Sequence, residues 1–374
     1  CTVVGVGVEA GGGSVFVTHS EDAEGAGDPR VHRVAAAKYE AGAQRAVLAN
    51  YFGFDDKLKD ARRVIGHIPQ VPSTYAYLMG GEGAINEKQL IMGETTTASV
   101  APLNASRARD RGGRAMFGIQ ALTVVAMERC DTARCAVELM GRLAEEHGFY
   151  QDEETPNGEA LVVGDTKELW HFHVLPDPTG ASAVWVGARV PPGHVTANAN
   201  MFVVRNVDLS NSDDFVGSAN MRSAAAAYGR PVGDGEPLDF TKAFSSGEYF
   251  SKYYSGRRVW RALTLLAPDS NLPAEYNDLR LDAPYPVSVP AKNVGVRDVM
   301  RVHRDYYEGT PYDLSAGAAA GPWGTPNRFL LAGPRSGNWE RPISIYRTAH
   351  SYIAQARRPS RQGEPPQPLS TPTC

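Results

Sequence analysis

Cys1-Thr2-Val3-Val4-Gly5-Val6-Gly7-Val8, followed by Gly11-Gly12-Gly13-Ser14 and then Val15-Phe16-Val17-Thr18, is the stretch on which the fold turns. Two Val-rich runs flank a glycine cluster, and glycine tolerates the positive φ of a tight turn, so the segment reads as a β-hairpin. Gly5-Val6-Gly7 also fits a loose dinucleotide-binding pattern. That pattern requires a helix directly after the glycines, and here more glycine and β-branched residues follow. Ribosomes start chains with Met, so numbering from Cys1 implies either an arbitrary start or a cut made by processing. After a cut, Cys1 would carry a thiol and a free α-amine together. An α-amine titrating at roughly 7.7–8.0 is partly neutral near pH 7 and serves as a base for the thiol. The functional reading is an N-terminal nucleophile that cleaves amides through an acyl-enzyme; the plain reading is a small apolar residue at a truncated end.

The 374 residues suit one large domain or two. With 42% hydrophobic and 21% charged residues the composition is that of an ordinary globular chain with a substantial core. A net charge of −4 and a pI near 6.2 give no basic footprint for nucleic acid or an anionic membrane, which favours small, neutral or mixed-charge partners. No run approaches the ~18 apolar residues needed to span a bilayer, so no membrane insertion is expected. Four cysteines, Cys1, Cys130, Cys135 and Cys374, are too few for a disulfide scaffold. Cys130 and Cys135 lie five apart in a predicted helix, off a common face, and read as core residues rather than a metal or redox pair. Asn104-Ala105-Ser106 is a glycosylation sequon, which matters only in a secreted chain.

Along the chain, His19-Ser20-Glu21-Asp22 places two acids just past a strand end. They form either a solvated turn or a carboxylate that orients the Cys1 amine. Residues 75–79 and 89–93 read as strands joined by a turn over 80–88. Met116 to His147 has helical three-to-four spacing, and Gly148 closes the second helix. Residues 161–163, 168–175 and 183–190 read as strands, with His171 and His173 on one face; no third ligand lies near in sequence, so packing or solvent exposure is preferred over metal binding. Residues 195–200 form a polar strand end, 218–228 an Ala-rich helix, and 296–307 a further helix. Tyr249, Phe250, Tyr253, Tyr254, Arg257, Arg258 and Trp260 mix aromatic and basic groups that, in an acidic chain, line a pocket or a helix face. The last predicted strands are 329–331 and 343–348, running on to 352–354. No internal repeat is present. Residues 1–356 are taken as one domain and 357–374 as a Pro-rich disordered tail.

Several stretches in register resemble the N-terminal-cysteine dipeptidase family, whose relatives include the secernins. They are Cys1-Thr2-Val3, Gly13-Ser14, His19-Ser20-Glu21-Asp22, Ala84-Ile85-Asn86-Glu87, Thr196-Ala197-Asn198-Ala199-Asn200, Arg258-Val259-Trp260, Tyr307-Glu308-Gly309-Thr310-Pro311-Tyr312-Asp313 and Arg347-Thr348. The resemblance runs from residue 1 to about 356 and implies an α+β fold, the four-layer αββα sandwich of the N-terminal-nucleophile hydrolases. It implies a dipeptidase whose Cys1 is exposed by removing a pro-segment, often autocatalytically, and it implies no cofactor and no metal. It assigns Asp22 to the nucleophile's contact, Asn198 to the oxyanion hole with Asn86 as a second donor, and Arg258 to positioning the site. His19 stands where the wider amidase family often has Arg and is left out of the catalytic set. The runs at 180–185, 253–260 and 321–324 resemble the eukaryotic branch, whose members travel the secretory or lysosomal route; a cytoplasmic location is the alternative. Family members continue past the Arg-Thr strand with ordered sequence that the Pro-rich tail replaces here. Two other readings stay open: an amidase for N-acyl substrates on the same scaffold, and an inactive member serving as a structural or binding subunit. A small peptide is the expected ligand, and a homo-oligomer is left open.

Overall fold

A computed structural model describes residues 1–22, 30–49, 63–80, 82–102, 105–151, 157–233, 235, 237–249, 253–274, 285–326 and 339–357. The chain opens with β1 (Val3–Val6) and β2 (Ser14–Asp22), whose register pairs Gly5 with Val17 and Val6 with Phe16. The expected hairpin is present, and Gly12 and Gly13 carry φ of +61° and +97° in its turn, the left-handed region open to glycine. Short strands follow: β3 (His32–Val34), β4 (Ala37–Lys38), β5 (Gln44–Leu48), β6 (Val64–Pro69), β7 (Ser73–Thr74), β8 (Tyr77–Gly80) and β9 (Glu82–Asn86), then the longer β10 (Ile91–Ala98). Helices α1 (Ile119–Arg129) and α2 (Ala133–His147) precede β11 (Asn157–Gly164), β12 (Leu169–Pro176), β13 (Ala183–Val190), β14 (His194–Asn198) and β15 (Phe215–Gly217). The rest comprises α3 (Met221–Ala227), α4 (Phe240–Phe244), α5 (Gly256–Leu266), β16 (Ser288–Pro290), α6 (Val296–His303), the one-turn α7 (Gly317–Ala320) and β17 (Thr348–Arg357), besides short 3₁₀ turns.

Two sheets dominate this mixed α/β chain. One has the order β16-β14-β1-β2-β17, the other β15-β13-β12-β11-β10-β9-β8-β3, and every pairing within them is antiparallel. Strand periodicity explains how they stack. Val3 turns toward the other sheet, into a cluster with Val17, Ile91, Val162 and Leu169, whereas Val4 and Val6 turn the opposite way, toward Val259 and Leu263 of α5. The glycines of β1 belong to the same alternation. A Cβ on Gly5 would lie 2.8–2.9 Å from side-chain atoms of Leu169, Thr196 and Val162, so the sheets approach closely where glycine stands. On the far face of the eight-stranded sheet, Leu122 and Val125 of α1 and Met140 of α2 pack with Trp170 and Phe172. Helix α6 adds Val299 and Val302 to the α5 side of the five-stranded sheet. Among the described residues no helix is long and apolar enough to cross a membrane.

Several expectations need correction. The segment 80–88 is not all turn, because β9 occupies Glu82–Asn86. The strand expected at 343–348 is a loop: Ile343 and Ile345 are buried, but Ser344 N–H donates to the Asp305 carbonyl and ladder pairing with β2 begins only at Thr348. Cys130 and Cys135 form a disulfide, because α1 ends at Arg129 and the turn through Thr132, which caps α2, brings their Cα atoms to 5.6 Å. His171 and His173 are packed, as preferred: both are fully buried, His171 bonds Thr196 Oγ1 at 2.8 Å, and His173 Nε2 accepts from the Val203 and Val204 amides. Arg357 closes β17 rather than opening a tail. Asn104, Phe250, the strand expected at 329–331 and residues 358–374 lie outside the described residues.

Candidate active site

The ends of three neighbouring strands meet at Cys1. Thr2 bridges to Ser20 and Val3 pairs with Asn198, so Cys1 lies between the end of β2, which carries Asp22, and the end of β14. The Cys1 amine is 3.1 Å from Asp22 Oδ2 and 3.4 Å from Asn200 Oδ1. The Asp22 side chain is wholly buried and salt-bridged to the equally buried Arg341. Thr348 Oγ1 donates to its other oxygen at 2.6 Å, and Arg347 donates to its backbone carbonyl at 2.9 Å. Tyr307 in turn donates to the Arg341 carbonyl at 2.6 Å, so two of the sequence boxes, 307–313 and Arg347-Thr348, converge on Asp22.

The charges are ordered by burial. Desolvation lowers the Cys1 amine to about 5; Asp22 opposes this, while Arg341 and Arg258 reinforce it. Burial by itself would raise Asp22, but Arg341 and the amine outweigh it and hold the carboxyl far below the usual range. Asp22 is therefore anionic with Arg341 as its main counterion. The 3.1 Å contact at neutral pH is then a hydrogen bond from an uncharged amine, whose lone pair is available to take a proton.

Arg258, on the first turn of α5 and fully buried, holds the residue from the other side. Its Nη1 donates to the Cys1 carbonyl at 2.5 Å and to Thr2 Oγ1 at 3.0 Å, and its Nη2 to Asn200 Oδ1 at 2.7 Å. Burial and the Arg341 cation bring it down to about 9, which leaves it charged at neutral pH. Asn200 has φ +59°, a left-handed conformation asparagine tolerates, and its Nδ2 donates to the Thr96 carbonyl at 2.7 Å. Asn198 is fully buried. Its Oδ1 accepts from Thr95 Oγ1 at 2.6 Å, whereas its Nδ2 has no hydrogen-bond partner. A buried amide N–H without an acceptor is costly unless a ligand supplies one.

Asn86 does not join this group. Its Nδ2 donates to the Met127 and Cys130 carbonyls at 3.0 and 2.8 Å, and its Oδ1 accepts from the Lys88 and Leu90 amides. The side chain ties the 86–90 turn to the end of α1, and both of its polar atoms are engaged there. The aromatic and basic stretch divides as expected. Arg257 is stacked 3.2 Å from the ring centre of Tyr312, and Tyr249 lines a cavity of about 510 Å³ with Ser99, Tyr228 and Arg230. Arg341, Asn200 and Thr95 were not foreseen as parts of the site. Asn200 lay within a recognised box, but Arg341 is 319 residues from Asp22 in sequence and no local pattern marks it.

Residues 1–364 match the family described as Peptidase family C69. A protein of Salmonella dublin described as "Probable dipeptidase" is 25% identical over 238 residues, covering 63% of this chain and 48% of that protein. A protein of Bifidobacterium longum (strain NCC 2705) described as "Dipeptidase" is 24% identical over 396 residues, covering 96% of this chain and 66% of that protein. The chain thus spans about half to two thirds of the length of these curated relatives.

Proposed function

We propose, from the premise that this chain belongs to peptidase family C69, that it is a cysteine dipeptidase whose nucleophile is the Cys1 thiol and whose base is the amine of the same residue. The observation that carries the reading is the Cys1 amine, depressed to about 5 and held against an Asp22 already neutralised by Arg341. The thiol proton passes to this amine as sulfur attacks the peptide carbonyl. The carbonyl oxygen becomes an oxyanion, for which the unpartnered Asn198 Nδ2 is the donor, worth about 2.7–4 kcal/mol. The protonated amine then gives its proton to the leaving amine, and water, activated by the same group, hydrolyses the thioester. Arg258 keeps the thiol and amine in register through the Cys1 carbonyl.

The two packed sheets with helices on their outer faces support the four-layer sandwich of the N-terminal-nucleophile type, with residues 1–356 as one domain. An oxidising secretory or lysosomal setting and the eukaryotic branch belong to the same proposal, and the Cys130–Cys135 disulfide supports the setting. The test is a dipeptide panel run beside N-acyl amides, with wild type and Cys1→Ala. Dipeptide cleavage by the wild type alone supports the reading. Cleavage of N-acyl amides alone refutes it in favour of the amidase, and no cleavage of either refutes it in favour of an inactive member.

A further inference from the structure

We infer that the Cys1 thiol, His19 and Glu94 form a Zn²⁺ site that captures the nucleophile. The sulfur, a ring nitrogen of His19 and a carboxylate oxygen of Glu94 all lie within 4.8 Å of one another. Zinc bonds of about 2.3 Å to sulfur and about 2.0–2.2 Å to nitrogen and oxygen set tetrahedral donors roughly 3.3–3.8 Å apart. Side-chain rotation of about an ångström closes the trio onto an ion.

A second observation is independent of that spacing. His19 is fully buried on β2, and neither of its ring nitrogens has a hydrogen-bond partner. Its ring meets those of His350 and Tyr352 in T-shaped contacts, with centroids 6.2 and 5.6 Å away, and bonds neither. A buried imidazole with both nitrogens unanswered is costly, and a metal bond satisfies one of them. Cys1 is only partly buried, so an ion has a way in. The charges also balance: a thiolate and a carboxylate offset Zn²⁺, with a neutral imidazole as third ligand. Sulfur, nitrogen and oxygen donors from three side chains suit zinc and leave the fourth position to water. On binding, the thiol loses its proton to the buffer, the S–Zn bond forms, and nothing is oxidised. Silencing of hydrolysis rests on Cys1 being the nucleophile; the binding does not.

The test is titration with Co²⁺ as a spectroscopic probe, followed by displacement with Zn²⁺. One equivalent of Co²⁺ should give a thiolate-to-cobalt charge-transfer band that Zn²⁺ removes. His19→Gln and Glu94→Gln, each checked for a native circular dichroism spectrum, should weaken Zn²⁺ binding by more than about tenfold. Cobalt bound without the band, or natively folded variants with unchanged affinity, overturns the assignment. If a variant does not fold, wild-type protein alkylated at Cys1 decides: lost binding supports the site and retained binding overturns it. Protein that gives the band but cleaves no dipeptide supports the site and refutes only the proposed activity.

Discussion

Under the proposed mechanism Asn198→Ala removes one oxyanion donor and little else, which makes its effect calculable. In the resting protein Asn198 Nδ2 bonds nothing, so the substitution breaks no ground-state hydrogen bond on that side. Its orientation is fixed by Thr95, whose hydroxyl donates to Oδ1 at 2.6 Å, so the N–H is held in place for the oxyanion role proposed for it. Loss of one such donor is worth about 2.7–4 kcal/mol, or roughly 10²–10³ in kcat, and because the contact strengthens only in the transition state, KM should move little. The substitution also strands the Thr95 hydroxyl, which retains only the Ala160 carbonyl at 3.4 Å, at a cost of about 1–3 kcal/mol in stability. Kinetics and a urea melt must therefore be measured on the same preparation, with active sites counted by thiol alkylation. Thr95→Val, which keeps the donor but frees it to rotate, should lose less than Asn198→Ala. A folded Asn198→Ala enzyme whose kcat falls less than tenfold would refute the oxyanion role.

Three further outcomes are expected. An amine at about 5 rather than 8.0 is neutral through the physiological range, so kcat/KM should rise through about pH 5 and be flat by neutrality; half-maximal activity near pH 8 would count against the amine as base. His171 and His303 are both lowered from 6.5 to about 4, chiefly by burial. The native state therefore binds fewer protons than the unfolded chain, so this stability is fully present above pH 6.5 and is lost as pH falls toward 4. The slope is ~1.4 kcal/mol per pH unit for each, and equal urea midpoints at pH 7 and 5 would contradict it. Replacing Cys130 and Cys135 together by Ala should cost about 2 kcal/mol, because the bridge closes a short loop, and should leave kcat unchanged; a large fall in kcat would show that the bridge reaches the site.

The sequence carried the framework of the site and missed its supports, for physical reasons. The two Val-rich runs around the glycine cluster were legible as the β1–β2 hairpin; the structure adds that β1 is buried on both faces and that glycine at position 5 marks where the second sheet approaches. Asp22, Asn198 and Arg258 were legible as boxes in register, and the structure sets Asp22 and Arg258 against Cys1 and pairs Asn198 with Val3. Asn86 was expected to be a second donor only because its Ile-Asn-Glu turn resembles the family's box. Only the fold reveals that the carbonyls of Met127 and Cys130 consume its amide. Arg341 could not be read at all, since its partner Asp22 is brought near by β17 pairing with β2. The disulfide was missed because a helix drawn continuously through residues 130–135 sets the two cysteines on different faces. The real break at Cys130, where φ is −110° and ψ 143°, brings them together. Ile343 and Ile345 alternate as a strand would, yet the Ser344 N–H between them donates to the Asp305 carbonyl and the Ile345 carbonyl accepts from the Thr348 N–H in a local turn, so burial alone produced the pattern.

The most direct test of the account is dipeptide turnover by protein whose first residue is confirmed by intact mass to be Cys1, beside a form carrying one extra glycine before Cys1. The added residue turns the amine into an amide and leaves the thiol. The account requires that turnover disappear although the thiol is still present and can be alkylated, more slowly than with the amine free. Turnover retained with the amine blocked would contradict the claim that Cys1 supplies its own base.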